Sequence, residues 1–300
     1  MTTLTVLIAG RGGQVARALA ASVPAGVNAV CLGRPEMDIT DSASIARAME
    51  EVAPDIVINA AAYTAVDQAE SEPEAARLVN AVAAGALAQA AAARGAPILH
   101  LSTDYVFNGE KTSPYVESDP VAPLGAYGRS KLEGERAVAA GNPQSVILRT
   151  AWVYSPWGKN FARTMLRVGE TRDELAVVHD QRGNPTSAAA IAAGLWSIAL
   201  GYGRAGAPLG AGVFHMTAQG EASWAEFAEE IFAVSAAAGG PGARIKRITT
   251  AEYPTPTQRP ANSRLDCSAL AAAHGITLPP WRESTRSVVE ELVRTKGWRA

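Results

Sequence analysis

Cysteine is nearly absent: the 300 residues include only Cys31 and Cys267, with four histidines. There is no CxxC pair and no His/Cys cluster, so neither a disulfide framework nor a zinc site is indicated. A charge excess is missing too. Lys and Arg number 27 against 29 Asp and Glu, a formal net charge of -2, so nothing general draws the chain to nucleic acid or an acidic membrane. Long apolar runs are lacking: the Ala-rich stretches are broken by Arg, Gln and Gly, and none approaches the length expected of a bilayer span. The N-terminus, MTTLTVLIAGRGG, shows no basic n-region, and its apolar run from Leu4 to Ala9 is too short for a signal helix. What remains, 48% apolar and 19% charged residues, is the composition of a soluble globular chain long enough for a full core. The expectation is a cytoplasmic α/β protein without nucleic acid or membrane as partner.

The first 150 residues alternate regularly. Short apolar runs rich in β-branched residues predict strands over 4–10, 27–33, 55–62, 97–107 and 145–154. Helical spacing predicts helices over 14–23, 42–53 (opened by a Ser cap), 72–95 and 127–140. Strict alternation argues for a parallel sheet with helices on both faces. Beyond about Trp152 the pattern loosens: 156–170 reads as helix, 174–200 as strand, loop and helix, and 223–237 as a helix opened by Ser223. Residues 253–266, YPTPTQRPANSRLD, are Pro-rich, irregular and too polar for core. The fold expected is α/β: a Rossmann-like doubly wound parallel sheet with a smaller α/β C-terminal substrate lobe. Residues 1–153, with returning segments at about 175–215, would form the nucleotide domain; about 154–174 and 216–300 would form the lobe.

The first strand feeds GRGGQVA, where Gly10, Gly13 and Ala16 follow a G-x-x-G-x-x-A pattern. Glycines there allow a tight turn and let backbone N–H groups approach a pyrophosphate at a helix N-terminus, although any strand-to-helix turn favours glycine. The end of the second strand, where a carboxylate usually binds the ribose 2′-hydroxyl of NAD, holds Gly33 and Arg34. Arg34, with Arg11 as a second contact, suits a 2′-phosphate and hence NADPH, with NADH kept as the alternative. Asp38 is placed near the adenine. Three alanines in NAAAYT (59–64) leave room for a flat ligand at the C-terminal edge of the third strand; tight helix packing would account for them equally.

The fourth strand ends in LSTDYVF (101–107), which puts Ser102 or Thr103 at the same edge. In AYGRSKLEGE (126–135), Tyr127 and Lys131 are spaced i and i+4 and share a helix face. A nearby ammonium favours the phenolate and makes tyrosine a better acid toward a developing alkoxide. Hydroxyl, phenol and ammonium together suit reduction of a ketone by hydride transfer. The YxxxK spacing alone is common on ordinary helices; the order of all the elements gives it weight.

In that order, GRGGQVA, NAAAYTAVDQAESEPE, LSTDYVF and YGRSK resemble the extended short-chain dehydrogenase/reductases. More narrowly, STDYVFNG, RTAWVYSPWGKNFARTML, DQRGNPT and RPANSRLD make the chain similar to the dTDP-4-dehydrorhamnose reductase family over nearly its whole length. The resemblance implies NADPH-dependent reduction of the 4-keto group of a dTDP-linked 4-keto-6-deoxysugar to dTDP-L-rhamnose. Carried over by position, it implies catalytic roles for Thr103, Tyr127 and Lys131. It implies cofactor contacts from Gly13, Gln14 and Val15, from Asp38 and Ile39, from Ala62, Tyr63 and Thr64, and again from Tyr127 and Lys131. Substrate contacts fall on Thr103, Asp104 and Trp152, whose indole would be a flat wall for a sugar ring. Arg259, Asn262 and Arg264 would help bind the diphosphate. A metal-linked homodimer occurs in the family, but its acidic ligands are not placed in this sequence, so Mg2+ and dimerisation are left open.

Two other readings compete. A dehydratase of the superfamily would follow the threonine with Asp-Glu, whereas this chain has Thr103-Asp104-Tyr105, which leaves epimerisation as the lesser alternative. A non-catalytic NADP-binding regulatory subunit would have no need of a proton donor, so the intact Thr103, Tyr127 and Lys131 set weighs against it.

Overall fold

The computed structural model describes residues 3–205 and 210–299; the expected returning segment at 175–215 thus includes four residues outside the described ones. Strands of four or more residues are β1 (Leu4–Ala9), β2 (Val27–Leu32), β3 (Ile56–Asn59), β4 (Ile98–Thr103), β5 (Ser145–Thr150), β6 (Glu174–Val178), β7 (Gly212–His215) and β8 (Arg244–Ile248). The helices are α1 (Gln14–Ala21), α2 (Ser42–Val52), α3 (Pro73–Ala93), α4 (Ala126–Gly141), α5 (Phe161–Gly169), α6 (Ala188–Ala205), α7 (Trp224–Ala237), α8 (Ser268–His274) and α9 (Trp281–Thr295).

The main sheet has six strands in the order β7-β5-β4-β3-β1-β2, all parallel. Its central strands are buried on both faces, which is why they read as unbroken apolar runs. On one face, Val6 and Ile8 of β1 pack with Leu19 of α1 and with Ile191, Leu195 and Trp196 of α6. On the other, Leu7 and Val57 pack with Met49 of α2, Leu87 of α3 and Val138 of α4. The order reverses between β1 and β3, and a crevice opens there at the carboxyl ends of the strands, the usual ligand position in such sheets.

Two expectations need correction. By length and composition alone, α3 is apolar enough to cross a membrane, although half of that span is buried; its alanines pack against α4. The predicted strand 145–154 breaks after Thr150, because Trp152 takes a left-handed φ of 49° and only Val153–Tyr154 resumes extended pairing, with Thr186–Ser187.

The C-terminal lobe is built on Tyr154, Leu166, Phe227, Trp281, Val289 and Leu292 from α5, α7, α9 and their flanks. Ser223 caps α7 in a reciprocal box with Glu226. β6 pairs with β8 and packs Leu175 and Val177 on α7, so the elements that return to the main sheet are α6 and β7. The irregular segment 253–266 is less peripheral than its polarity suggests. Asn262, Ser263 and Leu265 are buried, and bridges join Asn262 to Arg182 and Leu265 to Tyr115.

Candidate active site

A cleft of about 730 Å³ runs along the carboxyl edge of the sheet. Its floor is the turn Gly10–Val15. Gly10 has a φ of 103°, and a Cβ there would lie 2.8 Å from the Ala61 amide nitrogen, so only glycine lets the turn cross the end of β3. Gly13 is the N-cap of α1 and makes no side-chain cap bond, which leaves the first helix N–H groups directed at the cleft for an anion. Gln14 and Val15 line the cleft. Gln14 also ties it to the lobe, accepting from Ser155 Oγ at 2.8 Å and Asn160 Nδ2 at 3.0 Å.

At the adenosine end, Arg34, Asp38 and Ile39 face the cleft. The two arginines differ. Arg11 is held by Glu36 at 2.6 Å, whereas the exposed Arg34 guanidinium makes no hydrogen bond or ion pair among the described residues. Asp38 accepts from the amide and hydroxyl of Thr40, which hold its carboxyl below the usual range. Ala62 and Thr64 line the middle. Tyr63 does not: its phenol donates to Glu72 at 2.9 Å, and its amide to Asn80.

At the far end β4, β5 and α4 meet. Tyr127 and Lys131 line the cleft, and both are buried. Of Ser102 and Thr103, Ser102 is the one that lines the cleft. Ser102 donates to Glu135 at 2.6 Å, while Thr103 lies against the Tyr127 phenol and donates to Asp104 Oδ1 at 2.9 Å. Lys131 Nζ donates to the Leu101 carbonyl at 2.6 Å. Burial pushes the lysine down to about 8, against the opposing charge of Glu135. The expectation that Lys131 depresses the Tyr127 pKa is not met. Burial raises it, the neighbouring Thr103 hydroxyl opposes the rise, and Asp104 and Tyr105 add to it. Desolvation of the buried phenol is the dominant cause. Asp104 is pushed up to about 6 by burial, with hydrogen bonds to Thr103 and Ser263 pulling the other way.

Trp152 stands on the lobe side. Its ring stacks on Trp224 at 3.5 Å between centroids and 5° between planes, and its Nε1 donates to Ser263. One face of the expected flat wall is therefore taken. The three polar residues of the late segment are also engaged. Arg259 binds Asp67 and Tyr105, Asn262 binds the Lys111 and Ser113 carbonyls, and Arg264 binds Glu221.

The sequence reading overlooked Thr150. It ends β5, lines the cleft, is 7% exposed, and its hydroxyl has no partner among the described residues. The strand-edge rule applied to RT at 149–150 would have found it. Among the described residues, no group of three or more His, Cys, Asp or Glu side chains is placed to hold a metal ion. The glycine-only turn, the open helix end and this unpartnered hydroxyl fit a nicotinamide dinucleotide.

A parallel sheet with a glycine turn at its first crossover, and with tyrosine and lysine at the far end of its crevice and a threonine hydroxyl against that tyrosine, defines an extended short-chain dehydrogenase/reductase. The family model described as RmlD substrate binding domain matches residues 4–294. A dTDP-4-dehydrorhamnose reductase of Sinorhizobium fredii is 49% identical over 97% of this chain and 98% of its own length. The crystal structure of such a reductase from Clostridium acetobutylicum superposes with a TM-score of 0.89 at 38% identity, covering 96% of this chain and 99% of the other. One from Bacillus anthracis in complex with NADP gives 0.90 at 32% identity, covering 97% and 100%. The chain belongs to the dTDP-4-dehydrorhamnose reductase family.

Proposed function

We propose that this chain reduces the 4-keto group of dTDP-4-dehydro-β-L-rhamnose to give dTDP-L-rhamnose, with NADPH as the reductant. The observation that carries the reading is that Tyr127 and Lys131 line one end of the cleft, with the Thr103 hydroxyl against the Tyr127 phenol. A dihydronicotinamide held in the cleft would supply the hydride for the carbonyl carbon. Tyr127 donates its phenolic proton to the oxygen that becomes the hydroxyl, and Thr103 steadies that oxygen with a hydrogen bond. Lys131, charged below about pH 8, offsets the negative charge that develops on the phenol. Asp104 and the exposed part of Trp152 meet the sugar. The main sheet with α6 and β7 holds the dinucleotide, and the C-terminal lobe holds the sugar nucleotide. Arg34 takes the 2′-phosphate and sets the preference for NADPH. The setting is the cytoplasm, without nucleic acid or membrane as partner.

The test is oxidation of NADPH, and in parallel NADH, with the 4-keto sugar nucleotide as substrate. Oxidation that requires the ketone supports a reductase. No oxidation by the wild-type protein sinks the reading and favours a non-catalytic dinucleotide binder. Isomerised sugar without net oxidation favours an epimerase.

A further inference from the structure

The helix that carries Tyr127 has no cap of its own. α4 starts at Ala126, with Gly125 in the N-cap position and no side-chain cap bond. The first N–H groups of a helix lack intrahelical partners. Here the Ala126 N–H donates to Glu70 Oε1 at 2.7 Å, from a residue 56 positions earlier. Glu70 ends the short 3-10 turn Gln68–Glu70 between β3 and α3. Its carboxylate also lies at the positive end of the α4 dipole. A Cβ at position 125 would meet Glu70 Oε1 at 2.5 Å and Thr257 Cγ2 at 2.9 Å, so glycine is what admits the remote carboxylate.

The same turn holds Tyr127 a second way. Asp67 grips Arg259 Nη2 at 2.9 and 2.8 Å, and Arg259 Nη1 donates to the Tyr105 hydroxyl at 2.8 Å. The Tyr105 ring then meets Tyr127 edge-on at 5.5 Å between centroids. Ala69, fully buried, packs in one cluster with Ala126 and Tyr127. Backbone and ring of the second residue of α4 are thus both set by the segment AVDQAESEP (65–73), which takes little part in the cleft itself.

We propose that Glu70 is a positioning residue: it caps the catalytic helix from outside and fixes the Tyr127 phenol against Thr103. This rests on the reading of Tyr127 as proton donor. Glu70→Ala should lower kcat per dinucleotide-binding site by roughly tenfold or more, since small displacements of a reacting group cost orders of magnitude in rate. KM for the sugar nucleotide and Kd for NADP+ should stay within about twofold, the signature of an interaction that matters only in the transition state. Glu70→Gln keeps an oxygen that accepts from Ala126 N–H and should restore most of kcat. Glu70→Asp, one methylene short, should restore less. An unchanged kcat per binding site in Glu70→Ala overturns the proposal, whatever happens to its Tm. If Glu70→Ala does not fold, equal kcat in the Gln and Asp variants overturns it. Tyr127→Phe is the control. If it stays active, the functional reading itself fails; if it is inactive while Glu70→Ala is fully active, only the positioning role fails.

Discussion

Glu135 and Arg149 form a buried two-pronged ion pair one helical turn beyond Lys131. The two contacts are 2.8 and 2.7 Å, and the side chains are 4% and 5% exposed. Glu135 also accepts from Ser102 and lies one turn beyond Lys131 on α4. Glu135→Ala would leave a buried guanidinium without its partner. It should destabilise the fold by about 3–5 kcal/mol, measured by denaturant unfolding. Glu135→Gln isolates a second effect. Glu135 is the charge that holds the Lys131 pKa up against burial, so without it the lysine should lose its proton below about pH 8. Activity that needs the ammonium falls as pH rises through that pKa, and in Glu135→Gln the fall should come at lower pH. An alkaline limb that does not move would show that Lys131 is not what titrates there.

Tyr127→Phe removes the proposed proton donor and little else, because the ring remains in its place beside Tyr105. The rate of ketone-dependent NADPH oxidation should fall by about 10²–10⁴, the usual worth of a positioned acid. NADP+ affinity should change little. A comparable loss in binding would instead mean that the phenol serves mainly as a cofactor contact.

Much of this site was legible in the sequence, because its parts follow local rules. The i, i+4 spacing put Tyr127 and Lys131 on one face, and the glycines of the first crossover marked the dinucleotide turn. Long-range packing was not legible. Nothing in RPANSRLD reveals that Arg259 is taken by Asp67, 192 residues away. Nothing near Lys131 reveals that its ammonium donates to the Leu101 carbonyl, nor that burial of the Tyr127 phenol sets the direction of its pKa. The alternation of strands and helices was clear. The break of 145–154 at Trp152 depends on one left-handed backbone angle, and that is fixed by the lobe packed around it.

Arg34 offers a sharp test of cofactor choice, because its guanidinium has no partner among the described residues while Arg11 is paired with Glu36. A hydrogen bond to a charged group contributes about 1.5–3 kcal/mol, so Arg34→Ala should weaken NADPH binding by roughly tenfold or more and leave NADH nearly unchanged. Calorimetric titration with both cofactors reads this directly. Equal losses for the two would remove the 2′-phosphate from the argument.

His215 makes the fold sensitive to acid. It is fully buried; Nδ1 lies 3.1 Å from both the Tyr115 and Asp266 carbonyls, and the Glu117 carboxylate is 3.9 Å away. Burial and the Arg149 charge push it down to about 4, although the two carbonyls and Asp266 pull the other way. The unfolded chain takes up that proton near pH 6.5, so the unfolded state binds more protons between 6.5 and 4 and stability falls as pH drops through this window. The shift corresponds to about 3 kcal/mol lost by pH 4. His100, buried and also lowered, adds in the same direction. Asp104 opposes: raised to about 6 in the fold, it binds its proton before the unfolded chain does and gains stability as pH falls from 6 toward 3.8. Replacing His215 with Gln, which does not titrate, should flatten the loss between pH 6.5 and 4 in urea unfolding. An unaltered slope would place the acid sensitivity elsewhere.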